Sequence, residues 1–451
     1  MKKLYTYFLS FLLLIPSIGI GQITTVPEFP YVDSEITITF DSSQESSLGT
    51  FTGDLYAHTG VLIEGNTEWQ HVIGSWGDNT TQPQLTNNND GTYSLVITPN
   101  ITDYYSITSG EIVTDIALVF RSSDGSEQTS DLFITIYQEG LNVSFTAPND
   151  GEVFALGESL SIEVNAAENE TLSLYVDGEL EESTTLSKIN TEITASEAGY
   201  HQLVAVAGAG SEEARDTIQF FVRSNTPTAA KPSNTKDGIN YTSDTSVTLS
   251  IYAPEKEFIF VIGDFNDWEL DNNYLMNQDG DYFWITLDNL TEGQEYIFQY
   301  LIDGDIRIAD PYADKVLDPY NDQYISDSTY PDLISYPSDK TSEIASVFQT
   351  AQTAYTWSDS DFTTPNKEDL VVYELHVRDF TDAGNIKTVK DTLDYLERLG
   401  VNAIELMPFN EFEGNSSWGY NPSFYFAPDK AYGTKTDYKD FVDECHSRGI
   451  A

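Results

Sequence analysis

VVYELHVRDF (Val371–Phe380), VNAIELMPFNEF (Val401–Phe412) and WGYNPSFYFAPDKAYGT (Trp418–Thr434) decide the fold of this chain's C-terminal part. The first is a β-branched and aromatic run with a charged tip, the pattern of a buried strand ending in polar residues. Ile386, Val389, Leu393 and Leu396 follow at helical spacing, and Gly400 stands where a helix C-terminus favours glycine. Val401–Met407 reads as a second buried strand, stopped by Pro408. Strand, helix and strand make a βαβ unit, whose crossover is right-handed. A second helix is predicted with Thr436 as its cap, Tyr438, Phe441, Val442 and Cys445 on one face, and Gly449 at its end. Ile450 and Ala451 read as the start of a third strand.

These three stretches resemble the opening of the catalytic barrel of the α-amylase family, glycoside hydrolase family 13. YELHVRDF is similar to that family's first barrel strand and NAIELMP to its second. WGYNP, with FAPDKAYGT after it, resembles the substrate-side loop beyond strand two. Upstream, Val261–Gly304 resembles carbohydrate-binding module family 48, an immunoglobulin-like sandwich found ahead of many such barrels. Its FNDW is Phe265–Trp268, its Gly-then-aromatic strand Gly280–Trp284, and its Gly-x-x-Tyr-x-Phe strand Gly293–Phe298.

The expected architecture is three all-β immunoglobulin-like sandwiches followed by the start of an α/β TIM (β/α)8 barrel, truncated at strand three. A signal peptide spans 1–21: Lys2 and Lys3 precede an apolar Leu4–Ile15, and Gly19-Ile20-Gly21 is a small-x-small cleavage site. An uncleaved anchor is the alternative, but the apolar stretch is short and interrupted by Pro16. A β-sandwich over 22–138 follows from runs such as Ile36–Phe40 and Ile116–Phe120, separated by turn signals at Asn89-Asp90-Gly91 and Asp124-Gly125. Trp69 and Trp76 lie near His58 in its least regular part; they are either core or sugar-stacking residues. A second, immunoglobulin-like sandwich covers 140–223, a linker 224–237, the module family 48-like sandwich 238–336, a connecting segment 337–368, and the barrel opening 369–451.

Composition sets the surroundings. The formal net charge is −52, which repels nucleic acid and anionic membranes. Aromatic residues make up 13% of the chain, too many for a disordered one. The single cysteine, Cys445, excludes an internal disulfide and reads as a small core residue.

The resemblance implies retaining chemistry on α-glucans: two carboxyl groups about 5 Å apart and a covalent glycosyl-enzyme. In the family these acids sit at the ends of barrel strands four, five and seven, on the C-terminal face. The catalytic acids are therefore expected beyond Ala451, with no metal or cofactor held by the residues given and calcium possible in the complete protein. Asp379 and Glu411, just after strands one and two, read as polar loop residues and not as the acid pair. Glu374 and Glu405 read as partners of Arg378 or Arg398, or as barrel lining. The matching family position makes Tyr420 the ring on which a sugar stacks, with Trp418 and Asn421 beside it. Branching enzymes tend to carry Gln where Asn421 stands. Trp268 and Trp284 are candidate glucan-stacking residues of the third sandwich, whose other reading is a buttress for the barrel. The expected function is a secreted, periplasmic or cell-surface α-glucan hydrolase acting on starch, glycogen or maltodextrin. Its partner is an α-glucan polysaccharide or oligosaccharide, with no nucleic acid and no membrane insertion after signal cleavage. A branching enzyme or other transglycosylase of the same family and a non-catalytic starch-binding protein are the alternatives.

Overall fold

Alternation builds the first sheets. Ile36–Asp41 buries Ile36, Ile38 and Phe40 and turns Thr37 and Thr39 outward, the period of a strand with one face in a core. The computed structural model describes residues 23–451 other than 28, 45–47, 49–50, 52, 67, 138–139, 168–170, 210–211 and 359–360, so the predicted signal peptide lies outside the described residues. The chain divides into two compact units, one of residues up to 152, 159–194 and 200–220, the other of 153–158, 195–199 and 221–451.

In the first unit, Ile36–Asp41 pairs antiparallel with Ile23–Val26 and Thr92–Ile97, and Thr86–Asn87 completes the sheet. A second sheet runs Gln70–Ile73, Leu55–Ile63, Val113–Ser122, Leu132–Thr135. Phe40, Leu55, Val61, Ile116, Leu118 and Phe120 share the core of these sheets. One short helix, Ile101–Tyr105, is capped by Asn100, and its Tyr105 hydroxyl lies 2.7 Å from Thr59 Oγ1 inside the sandwich. Further along, Lys188–Thr194, Ser159–Ala166 and Val143–Ala147 form a three-stranded antiparallel sheet. Gly199–Ala209, Leu172–Val176 and Glu179–Thr184 are neighbours in another. The all-β character predicted for this region holds.

The second unit opens with two antiparallel sheets. One has the order β1 (Gly238–Ser243), β2 (Ser246–Tyr252), β5 (Tyr282–Leu287), β4 (Asn277–Asp279). The other has the order β3 (Ile259–Gly263), β6 (Glu295–Ile302), β9 (Ala345–Gln349), β8 (Val316–Leu317), with β7 (Ile306–Ile308) also on β6. Two expectations change here. Ala345–Gln349, assigned from sequence to a connector, is a strand of this sandwich, with Ala345, Ser346, Val347 and Phe348 all buried. Residues 224–237 are not a free linker. Gln278 donates its backbone N–H to the Pro227 carbonyl (2.8 Å), Ala229 donates to the Gln278 carbonyl (3.1 Å), and Lys231 lies 4.1 Å over the Tyr282 ring. Pro227 and Pro232 keep the segment extended, so it lies along the edge strand β4.

The unit ends in a βα region. β10 (Val372–Leu375) pairs parallel with β11 (Ala403–Leu406), with Leu375 opposite Leu406. The predicted helix between them is two helices, α2 (Ile386–Asp391) and α3 (Leu393–Leu399), after a short α1 (Val377–Phe380). The break falls at Thr392, whose hydroxyl donates to the Val389 carbonyl at 2.7 Å. Ile386, Val389, Leu393 and Leu396 still share the core, so the helical spacing survives the break. Gly400 closes α3 in the left-handed region, φ 86°. α4 (Lys435–Ser447) is capped by Thr434 and not Thr436: Thr434 Oγ1 accepts from the Asp437 N–H (3.1 Å) and the Asp437 carboxylate reaches back, a capping box. Cys445 is buried on the inner face of α4, with its thiol pushed up to about 12 by burial. Ala451 extends from the same core, its N–H donating to the Asn402 carbonyl (2.9 Å) and its carbonyl accepting from Ile404 (2.8 Å).

Asp310 closes the third sandwich. Its buried carboxylate accepts from the Tyr300 hydroxyl and the Tyr312 N–H, both at 2.8 Å. Burial pushes its pKa up to about 6. Between pH 4 and 6 the folded state therefore holds a proton that the unfolded chain releases, so this group's contribution to stability falls as pH rises through that window. At about 1.4 kcal/mol per pKa unit the loss is about 3 kcal/mol. Urea unfolding at pH 4 and pH 7 is expected to show the wild type losing about that much more stability than Asp310→Asn. Equal losses in the two proteins would contradict the assignment.

Candidate active site

β10 and β11 point the same way, so the segments that follow them emerge together at their carboxyl ends, the end where parallel α/β sheets bind ligands. His376 is the first residue past β10. It is buried, and its Nδ1 lies 3.0 Å from Asp379 Oδ2. Arg378 closes a fork on the same carboxylate, Nε to Oδ1 at 2.8 Å and Nη2 to Oδ2 at 3.0 Å. With Arg378 as the main cause and His376 adding to it, the Asp379 pKa is held down to about 2. Asp379 is thus a fixed anion that orients His376, and it cannot donate a proton near neutrality. Glu374 and Glu405 are exposed, and the pairing of Glu374 with Arg378 does not occur, because Arg378 is engaged by Asp379.

The loop after β11 folds onto this cluster. Trp418 stacks on the His376 ring, centroids 5.4 Å apart and planes 15° from parallel, and the Arg378 guanidinium sits 5.7 Å from the Trp418 ring. Tyr432 meets His376 edge-on, its hydroxyl 3.4 Å from Nε2. Gly419 makes this possible. Its φ is +80°, and a Cβ there would overlap the Pro408 carbonyl oxygen at the end of β11. The loop therefore turns hard against the strand end, and the next ring, Tyr420, stands 68% exposed. Trp418 stays 59% exposed despite its contact with His376. Asn421 is exposed, its Oδ1 accepting from the Ser417 hydroxyl at 2.5 Å. The structure thus places Trp418, Tyr420 and Asn421 on one loop beside His376, Arg378 and Tyr432. Sequence reasoning assigned no role to His376; its signal was a histidine three residues before an aspartate, at the polar tip of a strand.

Beneath the loop lies a buried charge cluster. Glu411 pairs with Lys430, which also lies 3.2 Å from Asp322 of the third sandwich's tail. Asp429 accepts from the backbone N–H groups of Ala431 (2.8 Å) and Phe412 (3.1 Å). Burial pushes Glu411 up to about 7 and Asp429 up to about 6. Burial alone would lower Lys430, but Glu411 and Asp322 raise it above its ordinary value. The two tendencies oppose one another across the pair. With three carboxylates around one ammonium, the charged lysine is the state the geometry favours. Glu411 is therefore part of the loop's foundation, not a free acid.

The two tryptophans proposed for the third sandwich part company. Trp268 is 9% exposed, packed with Phe260, Leu275 and Ile297, and donates Nε1–H to Asp264 Oδ1 at 3.2 Å. Its face is not open to a sugar, and FNDW works here as a plug in the sheet. Trp284 is half-buried and donates to the Ala229 carbonyl at 2.9 Å.

A sandwich leading into a parallel βα region, with an aromatic loop at the strand ends, defines the class: a β-module joined to part of an α/β domain. Residues 237–320 match carbohydrate-binding module 48 (isoamylase N-terminal domain), and residues 347–451 match the alpha amylase catalytic domain. The chain thus carries a carbohydrate-binding module 48 ahead of part of an α-amylase-family (glycoside hydrolase family 13) catalytic domain. It is 30% identical over 206 residues to malto-oligosyltrehalose trehalohydrolase of Saccharolobus solfataricus, covering 46% of this chain and 31% of that protein. It is 42% identical over 97 residues to the enzyme of the same name from Arthrobacter ramosus, covering 22% and 17%. It is 28% identical over 232 residues to the 1,4-alpha-glucan branching enzyme of Rhodospirillum rubrum, covering 48% and 28%. The chain spans less than a third of the length of these relatives.

Gly419→Ala tests the loop. A side chain in the left-handed region costs about 1–2 kcal/mol by itself, and the overlap with Pro408 adds to it. Gly414 has the same kind of backbone, φ +78°, with open space where a Cβ would go. Gly414→Ala is expected to lose about 1 kcal/mol and Gly419→Ala clearly more, with a change in tryptophan fluorescence as Trp418 leaves His376. Equal losses with unchanged spectra would show that the close approach does not hold the loop.

Proposed function

We propose that this chain is the N-terminal part of a secreted, periplasmic or cell-surface α-glucan hydrolase of the α-amylase family, which cleaves α-1,4 or α-1,6 glucosidic bonds in starch, glycogen or maltodextrin with retention. The observation that carries the reading is the exposed Tyr420 ring, held at the carboxyl ends of β10 and β11 beside the His376–Asp379–Arg378 cluster. A pyranose has an apolar face that packs on a π-surface. Stacked on Tyr420, the ring would be oriented for attack by carboxylates supplied by the rest of the barrel, and stacking that strengthens as the ring flattens favours the oxocarbenium-like transition state. In this reading Asp379 keeps His376 fixed and oriented, and Trp418 closes one side of the site. Calcium, if the complete protein binds it, would be held by residues other than these.

Secretion rests on the Lys2-Lys3 start and the apolar Leu4–Ile15 run. Among the described residues no helix is long and apolar enough to cross a membrane. Glucan branching is the second reading, supported by the likeness to a branching enzyme. Asn421 and the signal-like N-terminus favour hydrolysis. Whole-protein assays on maltoheptaose and amylose decide between them. New reducing ends, with the α-anomer formed first by NMR, are expected; new α-1,6 linkages without new reducing ends would place the protein among the branching enzymes. In the same assay Tyr420→Ala is expected to lower kcat/KM by about 100-fold, because a misplaced ring loses its alignment. Unchanged kcat/KM would remove Tyr420 from the site.

A further inference from the structure

The first sandwich carries a surface that neither family match reaches. On it, His58 is flanked by two tryptophans. Trp69 lies nearly parallel to the imidazole, centroids 5.5 Å apart and planes at 22°. Trp76 meets it edge-on, 4.8 Å away at 82°. The difference between those angles puts the two indole planes at least 60° apart. Phe133 backs Trp69 at 6.4 Å, while Trp76 is 54% exposed. Phe133 is itself exposed, so the rings make an aromatic patch and not a lone surface indole.

The polar groups behind the rings are ordered. Arg121 is buried on Val113–Ser122, and its guanidinium donates to Gln82 Oε1 (2.7 Å), Asn79 Oδ1 (2.5 Å) and the Ser122 carbonyl (3.1 Å). Because Arg121 occupies the Gln82 oxygen, the amide nitrogen of Gln82 must be the group that faces His58 Nδ1, 2.9 Å away. Gln82 therefore donates to Nδ1, and the imidazole is neutral with its proton on Nε2. Burial and the Arg121 charge act in the same direction, lowering the His58 pKa. The result is a neutral aromatic ring presenting one fixed N–H donor, stacked on Trp69 and edge-on to Trp76. Beside Trp76 a cavity of about 120 Å³ opens, reached also by Arg121, Ser123 and Gln128.

We propose that the Trp69–His58–Trp76 face is a second carbohydrate site, distant in sequence from the barrel, and that it binds a linear α-1,4-glucan. One pyranose stacks on Trp76, a neighbouring one packs against Trp69, and His58 Nε2–H donates to a hydroxyl between them. The inclined indoles select the ligand. Successive rings of an α-1,4-glucan turn relative to one another and present inclined faces, whereas a β-1,4-glucan is a flat ribbon that needs coplanar platforms. The net charge of −52 works against an acidic polysaccharide. The choice of an α-glucan also rests in part on the function proposed for the C-terminal unit.

Titration of the full chain with maltoheptaose, followed by tryptophan fluorescence and calorimetry, tests this. Trp76→Ala is expected to weaken binding at least tenfold, with near-ultraviolet circular dichroism and thermal midpoint retained, and Trp76→Phe to restore part of it. The titration is run in the Tyr420→Ala background, which removes the ring proposed to bind glucan in the C-terminal unit, so that binding reports the first sandwich. Binding that persists in this background and is lost on adding Trp76→Ala supports the site whether or not the complete protein hydrolyses glucans. No binding in this background, or affinity unchanged on adding Trp76→Ala, overturns it. Cellohexaose binding in preference to maltoheptaose overturns the ligand class.

Discussion

One buried ammonium, Lys430 Nζ, ties the catalytic-side loop to the sandwich before it. Its partners come from both sides, Glu411 on the loop and Asp322 on the sandwich's tail. Burying a charge is expensive, and an ion pair of this kind adds little net stability compared with an apolar core. Its value is directional. Neither carboxylate can be left alone in the interior, so the loop and the tail have one register in which both are satisfied. The same loop then runs through the Asp429-capped turn to Tyr432, whose ring touches His376. Asn415 adds a hydrogen bond to the Asn321 carbonyl at 2.6 Å, and Lys435 pairs with Asp314. The position of Tyr420 thus depends on a charge cluster that does no chemistry.

This arrangement also gives the third sandwich a physical task. Trp268 is enclosed in its core, and the acidic tail around Asp314 and Asp322 pairs with Lys435 and Lys430 of the βα region. Exposed aromatic rings include Tyr420 on the loop after β11 and Trp76 on the first sandwich.

Local patterns were legible where one principle acted alone. Strand alternation at Ile36–Phe40, helical spacing from Ile386 to Leu396 and the glycine stop at Gly400 needed only periodicity and backbone preference. The parts that were not legible depended on tertiary partners. Ala345–Gln349 is too short to stand out and becomes a strand because β6 has an open edge. The segment 224–237 has a linker's composition but finds hydrogen bonds along β4. Thr434 wins over Thr436 as cap because Asp437 completes a capping box only from position 434. Trp268 looked like a sugar platform because sequence shows an aromatic residue and not which way it faces. Of the candidate site, the loop around Tyr420 was readable from its motif. His376 was not, since its role comes from Asp379, Trp418 and Tyr432 meeting it in space.

A double-mutant cycle between Lys430 and Asp322 tests the central claim that the buried ammonium joins loop to sandwich. Lys430→Met alone leaves buried carboxylates uncompensated and is predicted to cost about 3–5 kcal/mol in urea unfolding. Combined with Asp322→Asn, the losses should fall short of their sum by about 1–3 kcal/mol, the coupling of groups in direct contact. Additive losses, within about 0.5 kcal/mol, would mean that the two residues do not share a bond, and that something other than Lys430 sets the position of the loop.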